Sequence, residues 1–225
     1  MDGITAYRKT IQKNPLFSGM TQDEMIRSAE LLGANVAKYG KGDIIHRPWT
    51  VLANFGLVIS GSVQACADDI GGNRMIMADV QPGTTFGESL CWLKVADSPV
   101  YIYASEEAAV MWLSPDILYS GSTDGCVLEM QKRFASLLAS RTLAMNERIQ
   151  ILSKLTIRDR LTVYFSSLAS SRGSDEFEVP LNREDMATYI GANRAALSRE
   201  LSRMKREGII DYRKNRFILK KHIEK

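Results

Sequence analysis

The sequence is poor in the residues that build disulfide frameworks and metal centres. Its 225 residues include only three cysteines and two histidines, and the cysteines, Cys66, Cys91 and Cys126, are far apart and form no CxxC pair. An odd number of separated cysteines excludes a disulfide scaffold and a cysteine-ligated zinc clip. We therefore expect reduced, mostly buried thiols and no bound metal.

Long apolar runs are also missing. No stretch of the sequence approaches the roughly 20 apolar residues that a membrane-spanning helix needs. Residues 1–10 lack the apolar segment of a secretory signal. We therefore expect a cytoplasmic protein that does not bind membranes. With 45% hydrophobic and 24% charged residues, the composition is that of a globular protein, long enough for one large or two modest domains.

Positive charge is scarce in the first two thirds of the chain and concentrated in the last third. Residues 1–151 have 13 basic and 16 acidic residues, whereas residues 152–225 have 16 basic and 10 acidic residues. A basic segment after an acidic one indicates that the C-terminal part binds a polyanion.

The pattern between Val36 and Leu113 is typical of β-structure. Short apolar stretches alternate with glycine-rich turns, and residues 69–72 and 81–84 each read as a hairpin turn. Upstream, residues 5–37 read as short helices, with a break at Pro15 and a helix that begins after Thr21. Several short strands at nearly regular spacing predict a β-sandwich or barrel.

From about Thr123 the period changes to that of a helix. No glycine or proline occurs in residues 126–172, and a helix of about 30 residues would be about 45 Å long. Such a length exceeds what one domain needs. Its apolar stripe could pack on the preceding β-domain, on a second copy of the chain, or on both, and we expect two copies to pair along it. The residues expected on this dimer helix are Val127, Met130, Phe134, Leu138, Met145, Ile149 and Leu152.

Residues 182–210 read as two helices joined by a tight turn. Asn182 and Asn193 are suited to cap the two helices, and Gly191 between them allows a sharp change of direction. The apolar residues of the second helix, Leu197, Leu201 and Met204, recur at intervals of four and three, so they should face a core. The final residues read as two strands around a turn at 214–215, which predicts a wing.

The opposite side of the second helix combines small residues with long cations. Such a face can approach the floor of a major groove about 12 Å wide, where arginine meets the O6 and N7 atoms of guanine. Arg194, Ser198 and Arg199 are therefore the expected base-reading residues. Phosphate contacts, which position the protein without reading sequence, are expected from Arg183, Asn193, Ser202, Arg203, Lys205, Arg206 and Lys214.

Three stretches stand out: "ISGSV" (59–63), "QPGTTFGES" (81–89) and, most specifically, "IGANRAALSRELSRMKREGII" (190–210). Through these stretches nearly the whole chain resembles the Crp/Fnr family of bacterial transcription regulators. The resemblance implies an α+β protein with an N-terminal β-roll sensor domain of the jelly-roll, cyclic-nucleotide-binding-like type, a dimerisation helix and a C-terminal winged helix-turn-helix. The implied boundaries are 1–122, 123–152 and 153–225.

The same resemblance implies the partners. A homodimer would bind a palindrome in double-stranded DNA with half-sites about 34 Å apart, and RNA polymerase would be a further partner. A signal would change the long helices or a hinge at about residues 153–156. One departure concerns specificity: the family's helix usually has Glu after its first Arg, where this sequence has Ala195.

The family's known cofactors fit this sequence poorly. Gly87 and Glu88 match the pair that holds a cyclic nucleotide, but no arginine lies between Arg74 and Arg133 to meet the phosphate. No cysteine precedes Cys66, as iron–sulfur binding would require. His46 is the only histidine before the tail residue His222, and a lone histidine is a weak indication of haem. We expect no cofactor.

The expected sensor site is instead apolar and suits a small apolar or aromatic effector. Its expected residues are Phe86, Gly87, Glu88, Ser89, Trp92, Tyr101, Tyr103, Met130 and Phe134. An alternative function is a ligand-binding module whose basic tail contacts a protein or membrane. An enzyme is not expected, because Glu88, Ser89 and His46 occur without a nucleophile elbow or a glycine-rich phosphate loop.

Overall fold

The computed structural model describes residues 6–220, which divide into two compact units, residues up to Ser140 and residues from Arg141. Within the described residues the helices are α1 (Arg8–Ile11), α2 (Gln22–Leu31), α3 (Glu88–Trp92), α4 (Asp116–Tyr119), α5 (Gly125–Leu152), α6 (Ile157–Arg172), α7 (Arg183–Ile190) and α8 (Arg194–Arg206). The strands are β1 (Asn35–Tyr39), β2 (Ile44–His46), β3 (Phe55–Ser60), β4 (Val63–Asp68), β5 (Arg74–Val80), β6 (Thr85–Phe86), β7 (Tyr101–Ala104), β8 (Ala108–Leu113), β9 (Glu176–Glu178), β10 (Ile210–Arg213) and β11 (Arg216–Leu219).

The first unit is built on two four-stranded sheets with orders β1-β8-β3-β6 and β2-β7-β4-β5. All strand pairs in them are antiparallel. This β-sheet unit, the long helix α5 and the helical second unit confirm the predicted α+β class. The predicted turn at residues 69–72 joins β4 and β5 as a hairpin. The turn at residues 81–84 leads from β5 to β6, which lies in the other sheet, so it is a crossover and the hairpin prediction was wrong there.

The central strands β3 and β8 of the sheet β1-β8-β3-β6 are buried on both faces. Because successive residues of a strand point to opposite sides of the sheet, each of these strands contributes to two cores. In β3, Phe55, Leu57 and Ile59 pack into a core with the N-terminal helices and the start of α5. Val58 points the other way, into a second core between the two sheets. This double burial explains why the stretch "FGLVI" is apolar without alternation.

The backbone just after β3 passes very close to the backbone of Glu107. Gly61 has φ of +67°, and a Cβ there would lie 2.0 Å from the backbone oxygen of Glu107. Only glycine fits this position, both because L side chains rarely adopt this conformation and because no space is left for a side chain. The "ISGSV" motif is therefore explained by the turn between β3 and β4.

The long helix α5 has both buried and exposed apolar residues. Val127, Met130 and Phe134 are each at most 2% exposed in the single chain, and Met130 and Phe134 pack in the core of the first unit. These three residues were predicted to lie on the dimer helix surface, and that part of the prediction is corrected. Further along the helix, on nearly the same side, Met145 and Ile149 are 65% and 61% exposed.

The second unit encloses its own core. Helices α6, α7 and α8 pack with the three-stranded sheet β10-β11-β9. The rings of Phe165, Phe177 and Phe217 are fully or almost fully buried in this core, with centroids 4.8 to 6.3 Å apart. Ile151, near the end of α5, is also fully buried here. The boundary between units at 140–141 thus falls inside α5, whereas the sequence placed boundaries at the two ends of the helix.

The cysteines are free thiols, as expected. Cys66 and Cys91 are buried and Cys126 is half-buried. Burial raises the pKa of the Cys91 thiol to about 12. Separately, no helix among residues 6–220 combines the length and apolar character that crossing a membrane requires.

We expect Phe55→Ala to lower the free energy of unfolding of the first unit by about 3–5 kcal/mol, because it removes a buried ring and leaves a cavity. Phe55 is 0% exposed, and its ring centroid lies 5.4 Å from that of Phe134. Urea unfolding followed by tryptophan fluorescence measures this, since all three tryptophans precede residue 141. The matched control is Ile70→Ala at a fully exposed position, with an expected effect within about 0.5 kcal/mol. Similar effects of both variants would contradict the assignment of the core.

Candidate nucleic-acid interface

Two asparagine caps and one glycine set where the two helices of this interface begin and where the first of them ends. The side chain of Asn182 accepts hydrogen bonds from the backbone N–H groups of Glu184 and Asp185, both at 2.9 Å, and caps α7. Gly191 ends α7 with φ of +69°. The side chain of Asn193 accepts from the N–H of Ala196 at 2.8 Å and caps α8. All three predicted roles are confirmed.

Helix α8 has one fully buried face. Leu197, Leu201 and Met204 are at most 1% exposed and pack into the core of the second unit. Burying three such side chains stabilises the helix position by roughly 1.5–3 kcal/mol each. The opposite face carries Arg194, Ala195, Ser198, Arg199 and Ser202, all exposed. The predicted orientation of the helix is therefore confirmed.

Arg158, in the first turn of α6, binds two carboxylates of the α8 region. Its Nε lies 2.6 Å from Glu200, and its Nη1 and Nη2 lie 2.6 and 3.1 Å from the two oxygens of Glu207. A bidentate Arg–carboxylate pair is stronger and more directional than a single contact. The Arg158 guanidinium also lowers the pKa of Glu207. The contacts fix α8 against α6.

Arg158 was not among the residues predicted to be functional, although the sequence contains a signal for it. A cation in the first turn of a helix is unfavourable next to the positive end of the helix dipole. Arg158 and Arg160 both occupy that turn, which indicates that they have partners elsewhere.

The wing is held by an arginine that was expected to contact DNA. Arg183 donates a hydrogen bond from Nη2 to the backbone oxygen of Lys214 at 2.6 Å. Its guanidinium lies over the rings of Tyr212 and Phe217, 5.4 and 5.1 Å from their centroids. Burial lowers the pKa of Arg183. The expected phosphate contact is therefore corrected: this half-buried side chain supports the tip of the wing, where Lys214 has φ of +54°.

Two other expected phosphate contacts are also engaged within the protein. Lys205 lies 2.6 Å from Asp211 and donates to the backbone oxygen of Tyr212 at 3.2 Å, so it links α8 to β10. Arg203 pairs with Glu207 at 3.0 Å. Arg206 and Lys214 are exposed, as are the predicted base-reading residues. The exposed pair Arg194–Glu184, at 3.5 Å, contributes little to stability because solvent screens it.

Residues 159–223 match the family of Crp-like helix-turn-helix domains. The anaerobic regulatory protein of Haemophilus influenzae is 25% identical over 175 residues, which are 76% of this chain and 66% of the relative. The nitrogen fixation regulation protein FixK of Azorhizobium caulinodans is 23% identical over 209 residues, 89% of this chain and 82% of the relative. Residues 159–223 are thus a Crp-like helix-turn-helix domain, and over most of its length the chain is similar to transcription regulators of the Crp/Fnr type. It spans about two thirds of the length of the first of these relatives.

A solved structure shows the same fold. The crystal structure of the catabolite activator protein of Thermus thermophilus aligns with a TM-score of 0.50 and 21% identity, covering 92% of this chain and 93% of that chain. The Crp/Fnr regulator described here therefore has the fold that the sequence resemblance implied, with a helix-turn-helix DNA-binding domain at residues 159–223.

The residues expected to form the sensor site are divided among separate parts of the first unit and do not form one site. Phe86 packs between the sheets against Trp112, with ring centroids 5.6 Å apart. Trp92 and Phe134, 5.0 Å apart, belong to the other core together with Met130.

The remaining expected sensor residues follow their own elements. Gly87 caps α3, Glu88 at its start is 2% exposed, and Ser89 is half-buried beside it. Tyr101 and Tyr103 alternate in β7 with buried residues, so they point away from the inter-sheet core. Because successive residues of a strand point to opposite sides, Tyr101 and Tyr103 lie on the other side of the sheet from the core that contains Phe86.

The two tyrosines of β7 form a separate surface cluster with Arg74. The Nε of Arg74 donates to the hydroxyl of Tyr101 at 2.9 Å, and its guanidinium lies 4.5 Å from the ring centroid of Tyr103. Among the histidines, His46 is 7% exposed and burial lowers its pKa, while His222 lies outside the described residues.

The ion pairs of the DNA-binding unit predict how its stability depends on pH. Hydrogen bonds from Lys205 and Lys220 lower the pKa of Asp211 from 3.8 to about 2. Because the pKa is lower in the folded state, the ionised carboxylate stabilises the fold above about pH 3.8, and this contribution is lost as the pH falls towards 2.

We therefore expect Asp211→Asn to be less stable than the wild type near neutral pH, and the difference to shrink between about pH 4 and pH 2. Urea titrations followed by NMR signals of β10 and β11 measure the stability of this unit. A difference that stays constant down to pH 2 would contradict the ion-pair assignment.

Proposed function

We propose that two copies of this regulator bind a palindromic operator in double-stranded DNA, each inserting α8 into a major groove. The observation that carries the proposal is the orientation of α8. Leu197 and Leu201 are at most 1% exposed, so the small and cationic side must face outward. Small side chains let a helix backbone approach the base edges.

The exposed residues of α8 divide into two proposed roles. Arg194 and Arg199 read guanine through bidentate hydrogen bonds, each worth roughly 1–3 kcal/mol of discrimination, and Ser198 contacts a base beside them. The contacts to the phosphates of the DNA backbone come from exposed residues at and beside this face of α8. They are Asn193, Ser202, Arg203, Arg206 and Lys214. Arg183 and Lys205 act indirectly, by holding the wing and the end of α8 in place.

The dimer is proposed to form along the exposed stripe of α5. From Ala135 this stripe continues at alternating intervals of three and four through Leu138, Thr142, Met145, Ile149 and Leu152, and Leu128 lies seven residues before Ala135. That spacing is the seam of a two-stranded coiled coil. Met130 and Phe134 in the first half of α5 are occupied by the first unit's core, and Leu138 is half-buried against it, so the most exposed part of the stripe is Met145 and Ile149 in the second half.

Sequence selectivity tests the base-reading assignment. We expect the wild type to select a two-fold symmetric sequence from a random DNA pool, and Arg194→Ala/Arg199→Ala to lose that preference while remaining a dimer. Lys41→Ala/Arg47→Ala is a matched control, because it removes two exposed cations from the first unit. Unchanged selectivity of the α8 variant would favour the alternative function, a ligand-binding module with a basic tail.

The small side chain of Ala195 predicts relaxed selectivity at one base pair. A glutamate here, as in related helices, could accept a hydrogen bond from the N4 amino group of cytosine, worth roughly 1–3 kcal/mol of discrimination. We expect Ala195→Glu to sharpen the preference at one position of each half-site, measured by the same selection. Sharpening spread over several positions would contradict the placement of Ala195.

The proposed phosphate contact of Lys214 predicts a different effect. Lys214→Ala should weaken binding to all sequences about equally and reduce the salt dependence of binding by about one phosphate contact.

As a regulator that acts on DNA, the protein is proposed to work in the cytoplasm. Of the aromatic residues once expected to bind an effector, Phe86 lies in one core and Trp92 and Phe134 lie in another, so substitutions at these three should act first through stability. For any signal to act, its ligand must bind one arrangement of the dimer more tightly than the other.

A further inference from the structure

The segment between α5 and α6 has fixed partners. Residues 153–156 were expected to be the hinge through which a signal moves the DNA-binding domain. In the structure, Ile151, just before the segment, is 0% exposed in the core of the second unit. The N–H groups of Ser153 and Lys154 continue the helical bonding at 2.9 and 3.1 Å, and the side chain of Thr156 caps α6.

Arg160 connects this segment to the turn of the helix-turn-helix. Its Nε donates to the backbone oxygen of Lys154 at 2.8 Å. Its Nη1 donates to the backbone oxygens of Gly191 at 2.9 Å and Ile190 at 3.2 Å. These last two oxygens lie at the C-terminal end of α7, where carbonyls lack helical partners and the helix dipole is negative. One guanidinium thus satisfies three carbonyls from two different segments.

Direct packing reinforces the connection. A Cβ at Gly191 would lie 2.8 Å from Cδ2 of Leu152, the last residue of α5. The space between the end of α5 and the turn is therefore filled. About one turn before Leu152, α5 makes two further contacts. Glu147 accepts a hydrogen bond from Ser167 of α6, and the guanidinium of Arg148 lies 5.7 Å from the ring centroid of Tyr189 in α7. The end of α5 thus contacts both α6 and α7.

We propose that Arg160 is a positioning residue that makes the end of α5, the following segment and the turn before α8 move as one body. This inference rests on the proposed dimer and palindrome. In such a dimer the two copies of α8 must reach successive major grooves about 34 Å apart. If α8 is fixed to the end of α5, the pairing of the α5 helices sets that spacing directly.

The chemistry of Arg160 explains why another cation could not replace it. Arginine offers five N–H donors in a rigid plane, whereas lysine has one ammonium group on a flexible chain. Lysine could contact one end of the bridge but would not hold both in a fixed geometry. Arg160 is half-buried and its donors face protein carbonyls, so its role differs from that of the exposed arginines of α8.

The test compares one operator half-site with the full palindrome, using the full-length protein and fluorescence anisotropy. A rigidly held pair of α8 helices gains affinity for the full site because the second contact is intramolecular. We expect Arg160→Ala and Arg160→Lys to keep half-site affinity within about twofold of the wild type and to lose about tenfold or more of the full-site advantage. Equal loss at both sites would mean that Arg160 serves only stability or DNA contact, and would overturn the inference.

A neighbouring arginine supplies the contrast. Arg158 lies two residues earlier in the same helix and binds Glu200 and Glu207 of the α8 region. Because it fixes α8 itself, Arg158→Ala should weaken half-site and full-site binding together. A selective loss of the full-site advantage in Arg158→Ala as well would remove the special role of Arg160.

Hydrogen exchange tests the inference independently of the palindrome. In free protein, Arg160→Ala should speed exchange of the amides in residues 153–157 and 191–193, while the amides of β10 and β11 stay as in the wild type. Unchanged exchange in both segments would overturn the inference. A wild type that binds full and half sites equally would instead overturn the proposed palindrome, and the exchange result would still decide on Arg160.

Discussion

The outward face of α8 depends on the burial of three side chains. Helix α8 has 13 residues, and Leu197, Leu201 and Met204 occupy one side of it in the core of the second unit. Because this apolar side is buried, the opposite side with Arg194, Ser198 and Arg199 faces solvent. The neighbouring contacts of Arg158, Arg160 and Arg183 act on an orientation that the apolar core has already set.

The arginines and lysines of the second unit fall into two groups, which the net charge of the segment does not distinguish. Some arginines and lysines are exposed on the face of α8 and at the wing. Others satisfy carbonyls, carboxylates and aromatic rings inside the unit: Arg158, Arg160, Arg183 and Lys205. The second group is indirectly functional, since it holds the groups that reach the surface. The basic character of this segment is therefore partly structural.

The long helix shows how one element can serve two surfaces. Its early apolar residues, such as Met130 and Phe134, belong to the core of the first unit. Its later residue Ile151 belongs to the core of the second unit, while Met145 and Ile149 are exposed. The buried and the exposed apolar residues thus occupy different parts of the length of the helix. The exposed stripe is then available for a second copy without disturbing either core.

The sequence by itself determined the change from β-structure to a long helix at about Thr123, the helices and strands that follow, the caps at Asn182 and Asn193, and the inward side of α8. Each follows from local periodicity or from a single residue's preference, so no distant contact is needed. Only the tertiary structure decided which apolar residues of α5 are core, that Tyr101 and Tyr103 point away from Phe86, and that Arg183 supports the wing. Those outcomes depend on partners far apart in the chain, such as Arg160 with Gly191 and Phe55 with Phe134, and periodicity does not reveal which stripe meets which surface.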